Sequence, residues 1–140
     1  MAALGFTFRF RESGGAPTIL DLLFKDTETL TKGDLVNLET GEVDLAATAD
    51  STLAGVVLET KAGTDSTTRI KVIVDEDAVY GVTDANARLL GATLDIAGAT
   101  GAQTVAASSN KEFVVARESS ATEETLVRFN TGKHFRNKAL

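Results

Sequence analysis

Asp34-Leu-Val-Asn-Leu-Glu-Thr-Gly-Glu-Val-Asp-Leu45 sets Thr40-Gly41 between two short runs of strand-forming residues, Leu35–Glu39 and Glu42–Leu45. A two-residue connection ending in Gly between such runs is a β-hairpin signal, although Thr-Gly is a weaker turn pair than Asn-Gly. Further turns stand at Ala62-Gly-Thr-Asp65 and Ser108-Ser-Asn-Lys111. Between these punctuation points the chain, with 19 Thr and 12 Val among its 140 residues, favours pleated, half-buried surfaces. The pattern predicts strands over 20–25, 35–39, 42–45, 55–59, 69–74, 78–82, 93–96, 104–105, 113–118 and 125–129. In Arg69-Ile-Lys-Val-Ile-Val-Asp75 the residues Ile70, Val72 and Val74 share one face while Ile73 lies on the other, which predicts a strand covered partly on both sides. Helix signals are thin: Asp84-Ala-Asn-Ala-Arg-Leu-Leu90, with its Asp cap candidate and following Gly91, allows one or two turns. Many short strands separated by turns predict an all-β single domain, a small β-barrel or β-sandwich, since closure is how such domains remove exposed edges.

The two ends read differently from this body. In Gly5-Phe-Thr-Phe-Arg-Phe-Arg-Glu12 a period-two alternation places Phe6, Phe8 and Phe10 on one face and Thr7, Arg9 and Arg11 on the other. Ser13-Gly-Gly-Ala-Pro17, with the only Pro of the chain, then interrupts it. Residues 1–17 are therefore expected as an extended N-terminal arm whose aromatic stripe packs on another chain, with a first core strand as the other reading. Residues 18–129 form the expected body and 130–140 a basic C-terminal tail. Charge follows the same division. Residues 18–127 hold eight Lys and Arg against 19 Asp and Glu, whereas 128–140 hold four basic residues and no acidic one, and the whole chain is −6. A body this acidic repels a polyanion, so no nucleic-acid partner is expected, and cationic contacts fall to the ends.

Composition removes much chemistry. The chain has no Cys, which excludes thiol nucleophiles, thiolate metal sites and disulfides, and its single His, His134, excludes a multi-histidine metal site within one chain. A triad through His134 is disfavoured because the basic tail is expected to leave the ring unoriented and wet. The Gly-rich segments lack phosphate-loop spacing. Asp75-Glu76-Asp77, the densest acidic run, lacks a calcium-hand pattern and reads as a solvated turn. With no Trp and one Tyr, sugar-stacking platforms are scarce. Val57-Leu-Glu-Thr-Lys-Ala62 is similar to the Glu-Thr-Asp-Lys-Ala hairpin of lipoyl domains but lacks its Asp, which displaces Lys61 from the tip and leaves it a turn lysine. The first residues show no secretory signal, and the longest uncharged run, Ile96 to Asn110, is too small-residue-rich for the roughly 20-residue apolar span of a bilayer, so no membrane partner is expected. No catalytic, cofactor or metal residue is assigned.

Taken together, Leu30-Thr-Lys-Gly-Asp-Leu-Val-Asn-Leu38, Thr40-Gly-Glu-Val43, Leu53-Ala-Gly-Val-Val-Leu58, Ile70-Lys-Val-Ile-Val74, Leu90-Gly-Ala-Thr-Leu94, Phe113-Val-Val-Ala-Arg-Glu118 and Leu126-Val-Arg-Phe129 resemble the small β-domains of tailed-bacteriophage capsid cement, or head decoration, proteins. The resemblance covers roughly residues 28–129. It implies a non-enzymatic virion protein, made in the host cytoplasm and carried on the outer capsid surface. Its implied partners are the major capsid protein and itself, as a homotrimer or a dimer, and it implies no cofactor. On that reading Phe6, Phe8 and Phe10 dock by adding to a neighbouring sheet edge, while Arg9, Arg11, Lys133, Arg136 and Lys138 meet acidic capsid surface. The alternative is a β-rich tail or baseplate accessory module that binds a host-surface glycan.

Overall fold

The computed structural model describes residues 5–24, 28–63 and 68–136. These residues form an all-β fold of thirteen strands: β1 (Phe6–Arg11), β2 (Ile19–Phe24), β3 (Thr29–Leu30), β4 (Leu35–Glu39), β5 (Glu42–Leu45), β6 (Leu53–Val56), β7 (Lys61–Ala62), β8 (Arg69–Ile73), β9 (Ala78–Val82), β10 (Thr93–Ala97), β11 (Thr104–Ala107), β12 (Phe113–Arg117) and β13 (Thr125–Phe129). A six-stranded antiparallel sheet, ordered β1-β9-β13-β12-β10-β11, packs as a sandwich on a five-stranded sheet ordered β6-β4-β5-β2-β8. β3 and β7 make a separate two-stranded ribbon.

The Thr40-Gly41 hairpin forms at the expected place. Glu39 faces Glu42, Leu38 faces Val43 and Val36 faces Leu45, and Thr40 and Gly41 have φ of 50° and 83°. Positive φ at both central residues is the turn whose twist matches its strands. Residues 84–90 make no helix. Arg88 instead exchanges both backbone hydrogen bonds with Ser119, at 3.0 and 2.9 Å, so the capping Asp84 serves a turn and pairs with Arg88 at 2.6 Å.

Two cores result from one alternation. Leu35, Leu53, Val56 and Ile73 of the smaller sheet face the larger one and meet Phe6, Tyr80, Leu94, Phe113, Val127 and Phe129. Their neighbours Val36, Ala54, Ile70 and Val72 point the other way, into a second cluster with Leu30, Val43, Val57 and Val74. The smaller sheet can enclose that cluster because it curls: Val57, just past β6, bridges Val72 of β8, and the Leu58 amide donates to the Lys71 carbonyl at 3.0 Å. Ile73 against Ile70 and Val72 is thus the two-faced strand expected from sequence. Gly55 sits at the tightest point of the curl, where a Cβ would fall 1.7 Å from the Ile73 carbonyl oxygen.

Buried polar side chains tie the layers together. The Gln103 side chain, fully buried, accepts from the Leu35 amide at 2.6 Å and donates to the Leu35 and Ala46 carbonyls at 3.4 and 3.2 Å. It therefore fastens the entry of β11 in the larger sheet to β4 and the end of β5 in the smaller. Asp34 accepts from the Thr31 and Gly101 amides and the Thr100 hydroxyl, fixing the β10–β11 turn over the start of β4.

Candidate interaction surface

The residues expected to dock are held in the body in different ways. β1 is an edge strand of the larger sheet, paired with β9 from Phe6↔Val82 to Arg11↔Ala78, and not an arm standing apart from residues 18–129. Phe6 is 2% exposed and its ring lies 5.3 Å from that of Phe113, so it belongs to the core. Phe8 is half-buried, edge-on to Tyr80 at 6.2 Å. Phe10 is 47% exposed. The single aromatic face expected of the three is broken by a bulge: Phe8 opposes Tyr80 and Phe10 opposes Val79, leaving Arg9 as the extra residue. An extra residue bends the strand and re-aims the side chains beyond it, which is how Phe10 leaves the core side.

The two arginines of β1 are already partnered. Arg9 holds Glu124 in a two-bond clamp of 2.8 and 2.5 Å on the surface. Arg11 donates to Asp77 at 2.9 Å and lies 3.6 Å from Asp75. Desolvation opposes ionisation of Asp77, but the hydroxyl of Ser13, the guanidinium of Arg11 and the amide of Ser13 outweigh it and hold the carboxyl down at about 2. Asp75, 2% exposed, accepts from the Thr18 amide at 2.6 Å. The Asp75-Glu76-Asp77 run is thus not a solvated turn: its two aspartates anchor both ends of the Ser13–Pro17 connection.

The basic C-terminal segment is also in the fold. Residues 133–135 run parallel to the start of β6, with the Leu53 amide donating to the Lys133 carbonyl and the Phe135 amide to the Leu53 carbonyl, each at 2.9 Å. His134, expected to be unoriented and wet, is fully buried between Phe129 and Phe135, at ring distances of 4.9 and 4.7 Å. Lys133 is half-buried, and the exposed Arg136 lies 5.6 Å over the Phe135 ring. Lys138 lies outside the described residues. Lys61, in β7, donates to the Arg69 carbonyl at 2.9 Å and pairs with Glu59.

Sequence reasoning missed the apolar side chains that do reach the surface. Leu89 and Leu90 are 71% and 70% exposed, at the turn fastened by the Arg88–Ser119 exchange and by the Gly91 amide donating to Val115. Ile19 and Leu20 are 47% and 39% exposed. β5 reaches Leu23 and Phe24 of β2, so among the described residues the Ile19–Leu22 stretch pairs with β8 on one side and has no strand partner on the other. The signal for the leucines is the Leu89-Leu90 dipeptide, which the helix reading takes in as the last two residues of its segment. Among the described residues no group of three His, Asp or Glu stands in position to hold a metal ion. No protein-family model matches the chain, and a search of curated proteins returns no match.

Proposed function

We propose that the chain is a capsid cement protein: a non-enzymatic domain that docks as a symmetric oligomer, a homotrimer, on the outer face of a tailed-phage capsid lattice and stiffens it against packaged DNA. The observation that supports this reading is the placement of large apolar side chains outside an otherwise well-tied sandwich. Phe10 stands before the β1–β2 connection and Ile19 and Leu20 after it, and Leu89 and Leu90 stand on a separate turn. Exposed apolar clusters on a rigid body mark contact surfaces. A protein that binds both its sister copies and a lattice needs two of them. Arg9 and Arg11, already clamped by Glu124 and Asp77, would act at the rim, where charges steer encounter more than they add affinity.

The test is co-sedimentation of the purified protein with expanded, undecorated shells of its phage, counting bound copies per capsid subunit. Saturation at a fixed symmetric ratio, raised heat resistance of the shells, and loss of binding in Ile19→Asp/Leu20→Asp or in Leu89→Asp/Leu90→Asp are expected. No binding to well-formed shells overturns the proposal, and saturable glycan binding in its place moves the function to a host-recognition module.

A further inference from the structure

We propose that residues 133–135 are an acid-releasable strap: a proton on His134 detaches the C-terminal segment from β6 and uncovers the edge of that strand while the rest of the sandwich stays folded. The geometry fixes the ring's protonation state. Nε2 lies 2.8 Å from the Ala54 carbonyl oxygen, which can only accept, so Nε2 carries a hydrogen. Nδ1 lies 3.1 Å from the Arg136 backbone nitrogen, which can only donate, so Nδ1 carries none. A proton taken up at Nδ1 turns the acceptor of the Arg136 N–H into a second donor, exchanges a hydrogen bond for a donor–donor contact, and places a full charge in a buried site.

The charged groups around the ring do not rescue that state. β6 and β13 present Leu53, Ala54 and Phe129, none of which titrates. From the turn before β9, Asp75 favours the cation, but its carboxylate already accepts from Thr18 and lies beside Arg11. On the strap itself Arg136 opposes a second positive charge. Burial lowers the imidazole first and most, the Ala54 carbonyl, Asp75 and the Val74 backbone resist, Arg136 assists, and the balance leaves the ring at about 4, against 6.5 for a free histidine. What the strap loses on opening is confined to its own contacts: two backbone bonds to Leu53, the His134 bond to Ala54, and the packing of His134 on Phe129 and of Phe135 at the rim of the second core. Opening is therefore local, a motion of one chain segment and not of a layer.

The sole histidine gives a single imidazole signal, so the test is direct: record its titration by NMR while measuring amide exchange of Leu53 and Phe135 between pH 7 and 4, corrected for intrinsic rates. With the ring at about 4 closed and 6.5 open, the open fraction rises close to tenfold per pH unit between about pH 6 and 5 and roughly 150-fold by pH 4, where half of the closed state is itself protonated. The expected result is that loss of protection at Leu53 and Phe135, with β12 and β13 amides still protected. His134→Phe, which keeps the ring packing and cannot take a proton, is expected to flatten the pH dependence. Protection at Leu53 and Phe135 that stays constant across that range, or falls together with that of β12 and β13, overturns the proposal.

Discussion

Phe6→Ala and Phe10→Ala separate a core strand from a docking arm. Both residues lie on β1, four apart and on the same nominal face, yet they are 2% and 47% exposed. Phe6 packs against Phe113, which continues to Phe129 at 5.7 Å, so truncation empties the buried end of an aromatic row. Removing a buried Phe costs about 3–5 kcal/mol, part transfer and part cavity. Phe10 leaves no enclosed cavity and has half its surface in water, so its truncation should cost roughly 1 kcal/mol or less. A domain of this length has about 7–20 kcal/mol of stability, which the Phe6 variant survives. In urea, with a slope of about 2 kcal/mol per molar, the Phe6→Ala midpoint should fall by about 2 M and that of Phe10→Ala by under about 0.5 M, with slopes unchanged. Capsid docking should respond in the opposite order, lost in Phe10→Ala and retained in Phe6→Ala below its unfolding midpoint. Small, equal midpoint shifts would refute the reasoning, because β1 would then be peeling from β9 in solution as an arm.

Gln103→Leu keeps the volume but takes the acceptor from the Leu35 amide and a donor from the Ala46 carbonyl, while the Leu35 carbonyl keeps the Ala46 amide, and it should cost about 1–3 kcal/mol by urea unfolding, since a buried group left unpaired incurs its full desolvation cost. Acid stability below pH 4 should depend on Asp77 and Asp95: burial opposes the charge on Asp95, but the amides of Ser109, Lys111 and Asn110 and the Ser109 hydroxyl hold its carboxyl below the usual range. Both folded pKa values lie under the unfolded one, so their contribution is fully present above about pH 4 and fades as pH falls toward 2. Stability curves of Asp95→Asn and wild type should therefore converge on acidification, and parallel curves would exclude the carboxylate as the cause.

Local grammar carried much of the fold. The hairpin at Thr40-Gly41 and the strands Leu35–Glu39, Glu42–Leu45, Ala78–Val82 and Thr125–Phe129 have the bounds their composition suggests, because turn chemistry and side-chain period are properties of neighbours in sequence. β6 is displaced: expected over 55–59, it spans Leu53–Val56, and residues 57–58 leave β4 to meet β8. That curl is a contact between segments fifteen residues apart, and nothing in Val57-Leu58 announces it. The errors at His134, Asp75 and Phe10 share this cause. His134 bonds to Ala54, eighty residues away, and Asp75 to Thr18, fifty-seven away. A basic neighbourhood or an acidic run reads as solvated only while its partner is unknown. The bulge at Arg9 is likewise set by pairing with β9, and a one-residue offset is enough to turn Phe10 outward.

The buried polar groups bear on function through rigidity. Asp34, Asp95, Gln103 and His134 bind backbone amides or carbonyls of the loops and strand ends around them, and Asp75 and Asp77 do the same for the β1–β2 connection. A chain without disulfides thus fixes its connections from within the core. The consequence reaches the surface. Leu89 and Leu90 project from a turn pinned on both sides by backbone bonds to Ser119 and Val115, and Ile19 and Leu20 come directly after the Thr18 amide held by Asp75. Ordering loops and side chains on association is a main cost of binding, and here much of it is met in the free protein. A small apolar patch can then hold a partner that the same residues on a mobile loop could not. Variants should show the converse: loosening Asp75, itself buried, should weaken docking through Ile19 and Leu20 more than removing the surface charge of Arg9.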